Sequence, residues 1–320
     1  MDLVKKLFKG DDRSAARLIS MIEEGEPEGY EAIKLIYPHV GNAHKIGITG
    51  SPGAGKSTLA GKLASTFVDE GKKLGIIAVD PSSSKGGGAL LGDRVRMREA
   101  ENTGKIFIRS MAHRGYPGGI AKAAIGASYI LEGLGKDTII IESIGAGQTE
   151  IQISALCDTV ITVITSGYGD EIQLMKAGLL EIGDIIVVNK ADKQGTEEVV
   201  GDVSTHIAGT EKSGWKIPVV AVSSIAGSGI ETLKNEIYRH YDFLKSDAEG
   251  IEKRKEHLKT LMLSLLKEEI WCRAMNILNS SKGYKHIIDG LKDRTIDPYA
   301  AVRKASEIVF SPEHMVRDGL

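Results

Sequence analysis

The sequence predicts an α/β fold in which a mainly parallel sheet is flanked by helices, with helical extensions at both ends of the chain. Two observations carry this prediction. Short β-branched runs alternate with segments of helical length, an arrangement typical of parallel sheets. Most of these runs are apolar throughout, as expected for strands that are buried on both faces.

The expected elements follow one another along the chain. The first forty residues have the apolar spacing of helices. Strands are expected at 45–49, 74–79, 106–108, 138–141, 159–164, 185–188 and 217–222, with helices at 58–70, 119–134 and 171–182. Three more helical segments are expected at 251–279, 284–291 and 298–309. The expected domains are an N-terminal helical extension (1–40), an α/β domain (41–245) and a C-terminal helical region (246–320).

Apolar residues follow one face of the helix expected at 251–279, among them Leu258, Leu261, Leu265 and Met275. This spacing has two interpretations. The apolar face packs against the core of the same chain, or it forms an arm that pairs with a second subunit.

Composition narrows the function classes. A formal net charge of -2 argues against broad nucleic-acid binding. The two cysteines, Cys157 and Cys272, form no CxxC pair, so neither a disulfide framework nor a cysteine zinc site is expected. No apolar run suits a secretory signal or a membrane span. We therefore expect a cytoplasmic protein that binds neither nucleic acid nor membrane.

A phosphate-binding motif, Gly50-x-x-x-x-Gly55-Lys56-Ser57, directly follows the first predicted strand and precedes a helix. Its glycines let backbone N–H groups surround phosphates, and the helix adds its positive end. Lys56 can reach the β- and γ-phosphates. A dinucleotide-binding turn is less favoured, because a third glycine at the required spacing is absent. The sequence therefore predicts a P-loop NTPase, with nucleotide contacts from Gly50, Ser51, Pro52, Gly53, Ala54, Gly55, Lys56, Ser57 and Thr58.

A second motif, Asn189-Lys190-Ala191-Asp192, follows the strand at 185–188. The carboxylate of Asp192 can accept hydrogen bonds from N1–H and the N2 amine of guanine, whereas adenine would leave it unpaired. Asn189 can bridge to the base or the P-loop, and the stem of Lys190 can cover the ring. Ser223 and Ser224 end the last strand and are expected to offer backbone N–H groups to the guanine carbonyl. The predicted substrate and product are GTP and GDP.

Three acids at or near strand ends are candidate Mg²⁺ ligands together with the Ser57 hydroxyl: Asp80, Asp93 and Glu142. The alternative for each acid is a helix cap or a solvated loop charge. Gly145, three residues after Glu142, is placed to sense the γ-phosphate, as in a switch loop.

Catalysis is expected to involve Lys56, Glu142 and Gln148. Signalling GTPases often place a glutamine directly after the switch glycine to orient the attacking water. Here that position is Ala146, and the nearest glutamine is Gln148. We therefore expect slow turnover without a partner, with Gln148 or a partner-induced rearrangement completing the site.

Longer loop motifs make the sequence resemble the MeaB/ArgK family of metallochaperone GTPases over about residues 40–230. They are Val79-Asp80-Pro81-Ser82-Ser83-Ser84, Leu91-Gly92-Asp93-Arg94-Val95-Arg96-Met97, Phe107-Ile108-Arg109-Ser110-Met111, Gly118-Gly119, Glu142-Ser143-Ile144-Gly145-Ala146-Gly147-Gln148-Thr149-Glu150 and Gly169-Asp170-Glu171-Ile172-Gln173.

The resemblance implies binding to an adenosylcobalamin-dependent acyl-CoA mutase, which in this family is usually methylmalonyl-CoA mutase. It implies that GTP gates cofactor loading and that the protein protects the mutase. It assigns the phosphate and magnesium site to Lys56, Ser57, Asp80, Asp93 and Glu142. It also implies that 167–176 is a further switch loop and that 246–320 forms the dimerisation arm of a homodimer.

Two loops depart from the family pattern. The family commonly has Pro-Gly-Ala-Gly-Asp-Glu where this chain has Ser166-Gly167-Tyr168-Gly169-Asp170-Glu171. The usual Glu-Thr-Val-Gly is Glu142-Ser143-Ile144-Gly145 here. Because these loops face the partner in the family, the identity of the mutase stays open.

Two other functions compete with a mutase chaperone. One is a kinase that phosphorylates a transport or binding protein, which the guanine motif disfavours. The other is a GTP-dependent regulator of an unrelated protein, which the loop motifs disfavour.

Overall fold

The computed structural model of the protein describes residues 2–80, 105–112, 119–143, 155–165, 179–209, 211–212 and 214–311. The helices are α1 (Asp2–Leu7), α2 (Asp12–Glu24), α3 (Pro27–Ile36), α4 (Lys56–Asp69), α5 (Gly119–Gly133), α6 (Leu179–Ile182), α7 (Thr196–His206), α8 (Ile230–Ser246), α9 (Ala248–Ser280), α10 (Lys282–Lys292) and α11 (Pro298–Val309). The strands are β1 (His44–Gly50), β2 (Leu74–Asp80), β3 (Ile106–Ala112), β4 (Thr138–Glu142), β5 (Thr159–Thr165), β6 (Ile185–Asn189), β7 (Glu211–Lys212), β8 (Trp215–Lys216) and β9 (Val219–Val222).

Seven strands form one sheet in the order β3-β2-β4-β1-β5-β6-β9, and every neighbouring pair is parallel. This confirms the predicted α/β class with a mainly parallel sheet. The chain runs to one side of β1 to build β2, β3 and β4, and to the other side to build β5, β6 and β9. The carboxyl end of β1 therefore lies where the strand order changes direction, the usual place of a ligand site in such sheets.

Strand β6 illustrates why the strands are apolar throughout. Ile185 and Val187 belong to a core cluster that also contains residues of α4 and α8. Ile186 and Val188 belong to a second cluster, which includes residues of α7. Alternate side chains point to opposite faces of a strand, so helices on both faces require apolar residues at every position.

The N-terminal helices pack against α5 and β3. A Cβ built on Gly126 of α5 would lie 2.9 Å from Ile22 Cγ2, so a glycine is needed where α2 crosses α5. Arg109 of β3 donates a hydrogen bond of 2.9 Å to Ser20 Oγ and forms an ion pair with Glu23. These contacts attach α2 to the edge of the sheet.

A buried polar network lies at the amino-terminal edge of the sheet, opposite the strand ends expected to bind nucleotide. His44 Nε2 and Thr159 Oγ1 share a hydrogen bond of 2.8 Å, and Thr159 Oγ1 lies 2.9 Å from His240 Nδ1. Lys253 Nζ of α9 donates to Asp184 Oδ1 at 2.7 Å. The start of α9 is thereby held to the residues that precede or begin β1, β5 and β6.

Boundaries differ from the predicted ones in a systematic way. β2, β4 and β6 each continue one residue further than predicted, to Asp80, Glu142 and Asn189, because backbone pairing does not stop where a polar side chain begins. Strand β9 begins at Val219 rather than at 217, since Pro218 has no N–H to donate to a ladder.

Helices α7 and α8 and the two-residue strands β7 and β8 were not predicted. Of the helix expected at 171–182, the described part is Leu179–Ile182.

Backbone contacts divide the chain into two compact units, with the boundary between Leu261 and Met262 inside α9. The division into parts 1–40, 41–245 and 246–320 stays a prediction. None of the described helices combines the length and the apolar character needed to cross a membrane.

Candidate nucleotide-binding site

The phosphate loop connects the end of β1 to the start of α4 at Lys56. Gly50, Gly53 and Gly55 have φ values of 140°, 76° and 88°, a region that disfavours residues with a Cβ. A Cβ on Gly50 would lie 2.0 Å from the Val163 carbonyl oxygen, and one on Gly55 would lie 2.5 Å from Asn189 Nδ2. The glycines thus allow the loop to pass close to β5 and to the guanine motif.

Lys56 is 6% exposed, and its ammonium lies within the loop. Lys56 Nζ donates hydrogen bonds of 2.9 Å to the carbonyl oxygens of Gly50 and Ser51. These bonds hold the positive charge at the carboxyl end of β1, beside the amino-terminal end of α4. Both features favour an anion such as a phosphate.

Ser57 and Glu142 form the described part of the candidate metal site. Ser57 Oγ donates a hydrogen bond of 2.5 Å to Glu142 Oε1. Glu142 is 7% exposed and ends β4, where its backbone pairs with Ile48 on one side and Ala78 on the other. A hydroxyl and a carboxylate oxygen at this separation are the hard donors that Mg²⁺ prefers, with water completing its shell.

A second pair of hydroxyls fixes the chain directly after Glu142. Ser143 Oγ donates to Thr49 Oγ1 at 3.0 Å, and Ser143 N donates to the Ile48 carbonyl oxygen at 2.9 Å. Ser143 is 1% exposed and Thr49 is 3% exposed. The residue directly after Glu142 is therefore held against β1, which restricts where the Glu142 carboxylate can point.

The other predicted metal and switch residues are only partly covered. Asp80 ends β2 in the same sheet, but its side chain is outside the described part of the structure. Asp93, Gly145 and Gln148 lie outside the described residues. Within the described ranges, no group of three or more His, Cys, Asp or Glu side chains could hold a metal ion. The two-residue arrangement of Ser57 and Glu142 falls below that size.

The guanine motif is tied directly to the phosphate loop. Asn189, 2% exposed, donates from Nδ2 to the Ala54 carbonyl oxygen at 2.7 Å. Lys190 has a φ of 63°, and its ammonium donates to the Gly53 carbonyl oxygen at 3.0 Å. Its aliphatic stem therefore extends from the end of β6 towards the phosphate loop. Direct hydrogen bonds thus connect both halves of the candidate nucleotide site.

Two serines after β9 orient the polar side chains of the guanine motif. Ser223 Oγ donates to Asp192 Oδ1 at 2.6 Å. Ser224 donates to Asn189 Oδ1 from its backbone N at 3.1 Å and from its hydroxyl at 2.8 Å. The hydrogen bond from Ser223 lowers the pKa of Asp192, with a smaller contribution from a backbone N–H. Asp192 is thus kept ionised, the state that its predicted contact with guanine requires.

Sequence reasoning placed Ser223 and Ser224 in this site but missed what their hydroxyls do. It assigned their backbone N–H groups to the guanine carbonyl, and that contact stays a prediction. The structure uses the Ser224 N–H for Asn189. The contact between Ser143 and Thr49 was also missed, because a hydroxyl pair between β1 and the residue that follows β4 has no motif of its own.

Comparisons with known proteins agree with this geometry. Residues 15–278 match the family described as methylmalonyl Co-A mutase-associated GTPase MeaB. A relative from Pyrococcus horikoshii, named as a candidate GTPase, is 42% identical, with 94% of this chain and 95% of the relative aligned. The methylmalonic aciduria type A homolog of Caenorhabditis elegans is 28% identical, with 84% and 72% aligned. A crystal structure described as LAO/AO transport system kinase shares the fold, with a TM-score of 0.70, 24% identity and 96% of each chain covered.

The family inferred from the loop motifs is confirmed by the match over residues 15–278. Family and fold together indicate guanine-nucleotide binding and GTP hydrolysis. The chain belongs to the MeaB family of GTPases.

Proposed function

We propose that this chain is a GTP-gated chaperone of an adenosylcobalamin-dependent acyl-CoA mutase, with methylmalonyl-CoA mutase as its partner. The observation that carries the proposal is the match of residues 15–278 to a family described as methylmalonyl Co-A mutase-associated. The name of the Caenorhabditis elegans relative, which refers to methylmalonic aciduria, supports the same partner. In this function, GTP gates loading of the mutase cofactor and the chaperone protects the loaded mutase.

The described contacts support a division of roles within the nucleotide site. Backbone N–H groups of the loop 50–58 would surround the phosphates, and Lys56 would neutralise the β- and γ-phosphates. Asp192 would accept hydrogen bonds from the guanine edge, in the orientation that Ser223 Oγ gives it. Asn189 would hold the base region to the phosphate loop through Ala54.

The donor set fits a magnesium ion. Ser57 and Glu142, whose oxygens lie 2.5 Å apart, would hold it, with Asp80 and Asp93 as further acids. The ion would supply positive charge that offsets the negative charge of the bound phosphates. Glu142 is held by β1 and β2 on either side, so its carboxylate does not have to be ordered when the ion binds.

Slow turnover without a partner is part of the proposal. Among the described residues, Lys56 and Glu142 belong to the proposed catalytic set. Lys56 would neutralise phosphate charge and Glu142 would hold the metal ion, so neither would orient the attacking water. Gln148 is the proposed water-orienting residue, and it follows the switch glycine Gly145 by three positions rather than one. A partner that repositions this segment would complete the site, so the mutase would accelerate hydrolysis.

Helix α9 supports the proposed homodimer. It carries a run of large apolar side chains that are about half exposed: Leu258, Met262, Leu263, Leu266, Ile270 and Trp271. An apolar face of this kind is costly in water and typical of an interaction surface. The segment 246–320 is therefore proposed as the dimerisation arm, and 167–176 as the switch loop that communicates with the mutase. A gel-filtration mass near that of one chain would reject the dimer.

A pull-down tests the partner. Methylmalonyl-CoA mutase is mixed with the chain in the presence of GDP, GTP or a nonhydrolysable GTP analogue, and the captured amounts are compared. We expect association that depends on the nucleotide. The variant Lys56→Met should lose that dependence, whereas Lys62→Met, a change at an exposed lysine of the same helix, should keep it. Association that is absent or identical in all three states would reject the chaperone.

Nucleotide competition separates this function from a kinase. GDP bearing a fluorescent group is displaced by GTP or by ATP at equal concentration. We expect displacement by GTP alone, because adenine offers no partner for Asp192. Equal displacement by ATP would favour a kinase of a transport or binding protein instead.

A further inference from the structure

A buried carboxylate and a buried imidazole share one ammonium group at the start of α9. Lys253 Nζ donates to Asp184 Oδ1 at 2.7 Å and lies 3.3 Å from His240 Nε2. His240 Nε2 also lies 3.8 Å from Asp184 Oδ1. The side chains of Lys253, Asp184 and His240 are 9%, 3% and 0% exposed. Three groups that can carry charge thus meet away from water.

The hydrogen bonds of this cluster fix the proton on the His240 ring. An ammonium group donates hydrogen bonds and cannot accept one. His240 Nε2 therefore faces Lys253 as an acceptor, and the neutral ring carries its proton on Nδ1. That proton is donated to Thr159 Oγ1 over 2.9 Å, and the Thr159 hydroxyl then donates to His44 Nε2 at 2.8 Å. The hydrogen bonds from Lys253 to His44 all run in one direction, and they require a neutral His240.

A second proton on His240 is incompatible with this arrangement. Protonated histidine carries an N–H on both ring nitrogens, so two donors and two positive charges would face each other 3.3 Å apart. Buried charges of this kind are screened very little. Asp184 carries a single negative charge, and its Oδ2 already accepts from Val160 N at 2.9 Å. Two cations would therefore compete for one buried anion.

The side chain that leaves is the one that can reach water. The His240 ring is fully buried and packs against the Trp215 ring, with centroids 4.7 Å apart. Arg239 of the same helix lies over the Trp215 ring and adds positive charge on that side. Lys253 lies in the second turn of α9, two residues after Ile251, which is 47% exposed. A long, flexible lysine side chain can turn its ammonium into water, whereas the imidazole cannot.

The surrounding charges decide which of the two histidines takes the proton. Burial, and then the positive charges of His240, Lys245 and Lys72, holds the pKa of His44 well below its usual value. His240, in contrast, lies beside the carboxylate of Asp184, and a nearby opposite charge favours the protonated ring. The added proton therefore goes to His240.

We propose that His240, Asp184 and Lys253 form a proton-operated latch on the first turns of α9. Asp184 holds Lys253 while His240 is neutral. When His240 takes up a proton, its imidazolium becomes the partner of Asp184 and Lys253 moves into water. The latch is independent of the proposed nucleotide site, and it sets how firmly the root of α9, the first long helix of the proposed dimerisation arm, is attached to the sheet.

A second contact keeps the helix from detaching. Arg254 donates to the Gly41 carbonyl oxygen at 3.0 Å and lies 3.9 Å from Asp158 Oδ1. Neither of these contacts involves His240 or Asp184. Proton uptake should therefore loosen the first turns of α9 without unfolding the sheet to which they are attached.

Hydrogen–deuterium exchange of the purified full chain tests the latch. Exchange is followed by mass spectrometry at pH 7.5 and 5.5, with rates corrected for the intrinsic effect of pH. Peptides covering 251–259 should lose at least about fivefold in protection at the lower pH, as expected for a local opening. Peptides covering 185–188 of β6 should keep their protection, which separates local release from global unfolding. Equal protection of 251–259 at both pH values would overturn the latch.

Two histidine variants assign the pH effect. His240→Gln keeps a side chain that can accept a hydrogen bond from Lys253 and does not titrate, so 251–259 should be equally protected at both pH values. His257→Gln changes the histidine one turn later in α9, whose charge acts on Asp158, and should keep the loss of protection at the lower pH. The same loss in His240→Gln as in the original chain would show that His240 is not the group that operates the latch.

A lysine variant tests the competition for Asp184 directly. Lys253→Met removes the competing ammonium, so the midpoint of the His240 titration, followed through its ring NMR signals, should move up by about one pH unit or more. Lys255→Met removes an exposed lysine of the same helix that pairs with Glu252 and should leave the midpoint unchanged. An unchanged midpoint in Lys253→Met would overturn the latch, and this result does not depend on whether His240→Gln folds.

Discussion

Ser223 Oγ donates a hydrogen bond of 2.6 Å to Asp192 Oδ1. Ser223 Oγ also accepts a hydrogen bond of 3.2 Å from Ala226 N. The hydroxyl therefore has a fixed direction, and it engages one oxygen of the carboxylate while leaving the other for a ligand. The carboxylate proposed to bind guanine is thus oriented by a residue 31 positions away from it.

We expect Ser223→Ala to weaken GDP binding about three- to tenfold, since a hydrogen bond of this kind contributes about 0.5–1.5 kcal/mol. Calorimetric titration measures the change. Ser246→Ala is a matched control, because its hydroxyl is also bonded, to the Asp242 carbonyl oxygen at 2.7 Å, but on α8. Unchanged affinity in Ser223→Ala would show that Asp192 needs no such orientation.

Asp192→Asn should change the base preference. The amide can donate to the C2 carbonyl of xanthine but repels the N2 amine of guanine, so GDP should bind about a hundredfold more weakly and xanthosine diphosphate should bind better than GDP. The affinities of the original chain for the two nucleotides are measured by competition against mant-GDP, a fluorescent GDP derivative. Those of the variant are measured by direct titration. Asp202→Asn, at an exposed acid of α7, is the control. A variant that still prefers GDP would contradict the assignment of Asp192.

Glu142→Gln should impair the metal site without unfolding the protein. It keeps the shape of the side chain and removes its charge, so the Mg²⁺ concentration needed for half-maximal GTP hydrolysis should rise at least about tenfold. Phosphate release measured over a magnesium series tests this, with Glu31→Gln on α3 as the exposed control. An unchanged magnesium dependence would remove Glu142 from the metal ligands.

Gly55→Ala and Gly53→Ala form a matched pair in the phosphate loop. Both glycines have positive φ, but a Cβ at Gly53 meets nothing within 4 Å, whereas one at Gly55 meets Asn189 Nδ2 at 2.5 Å. Both variants carry backbone strain. We expect Gly55→Ala to lower the free energy of unfolding by about 1–3 kcal/mol more than Gly53→Ala does, because of the added collision. Urea denaturation measures both, and equal losses would show that Asn189 moves aside freely.

His44 predicts a pH dependence of stability. Burial, and then the positive charges of His240, Lys245 and Lys72, holds the pKa of His44 well below its usual value. As the pH falls below about 6.5, the unfolded chain takes up a proton that folded His44 does not. The free energy of unfolding should therefore fall with pH, by up to about 1.4 kcal/mol per pH unit from this group.

Urea denaturation at pH 7.5, 6.5 and 5.5 measures this slope. His44→Gln keeps a hydrogen-bonding group near Thr159 and does not titrate, so its stability should depend less on pH over the same range. His39→Gln, which alters an exposed histidine outside the sheet, should keep the original slope. Identical slopes in all three proteins would show that His44 is not the group responsible.

The sequence was informative about the strands because helices cover both faces of the sheet and make each strand a continuous apolar run. It also singled out Lys56 and Asp192, since the phosphate and guanine motifs are local in the chain, and the nucleotide contacts of both residues stay a prediction. It could not give the hydroxyl contacts of Ser143 and Ser223, because their partners are distant in sequence and serine is common in loops. The same is true of the network around Thr159, whose members come from five separate segments.

Strand β6 is held at both ends by contacts that do not depend on each other. Before it, Asp184 accepts from Lys253 and from Val160 N; at its end, Asn189 is bonded to Ala54 and Ser224. Its four residues from Ile185 to Val188 are fully buried. Their amide protons should be among the slowest to exchange with solvent. In the proposed nucleotide site, release of GDP would then come from movement of the loops after β6 and β9, while the strand that carries Asn189 stays in place.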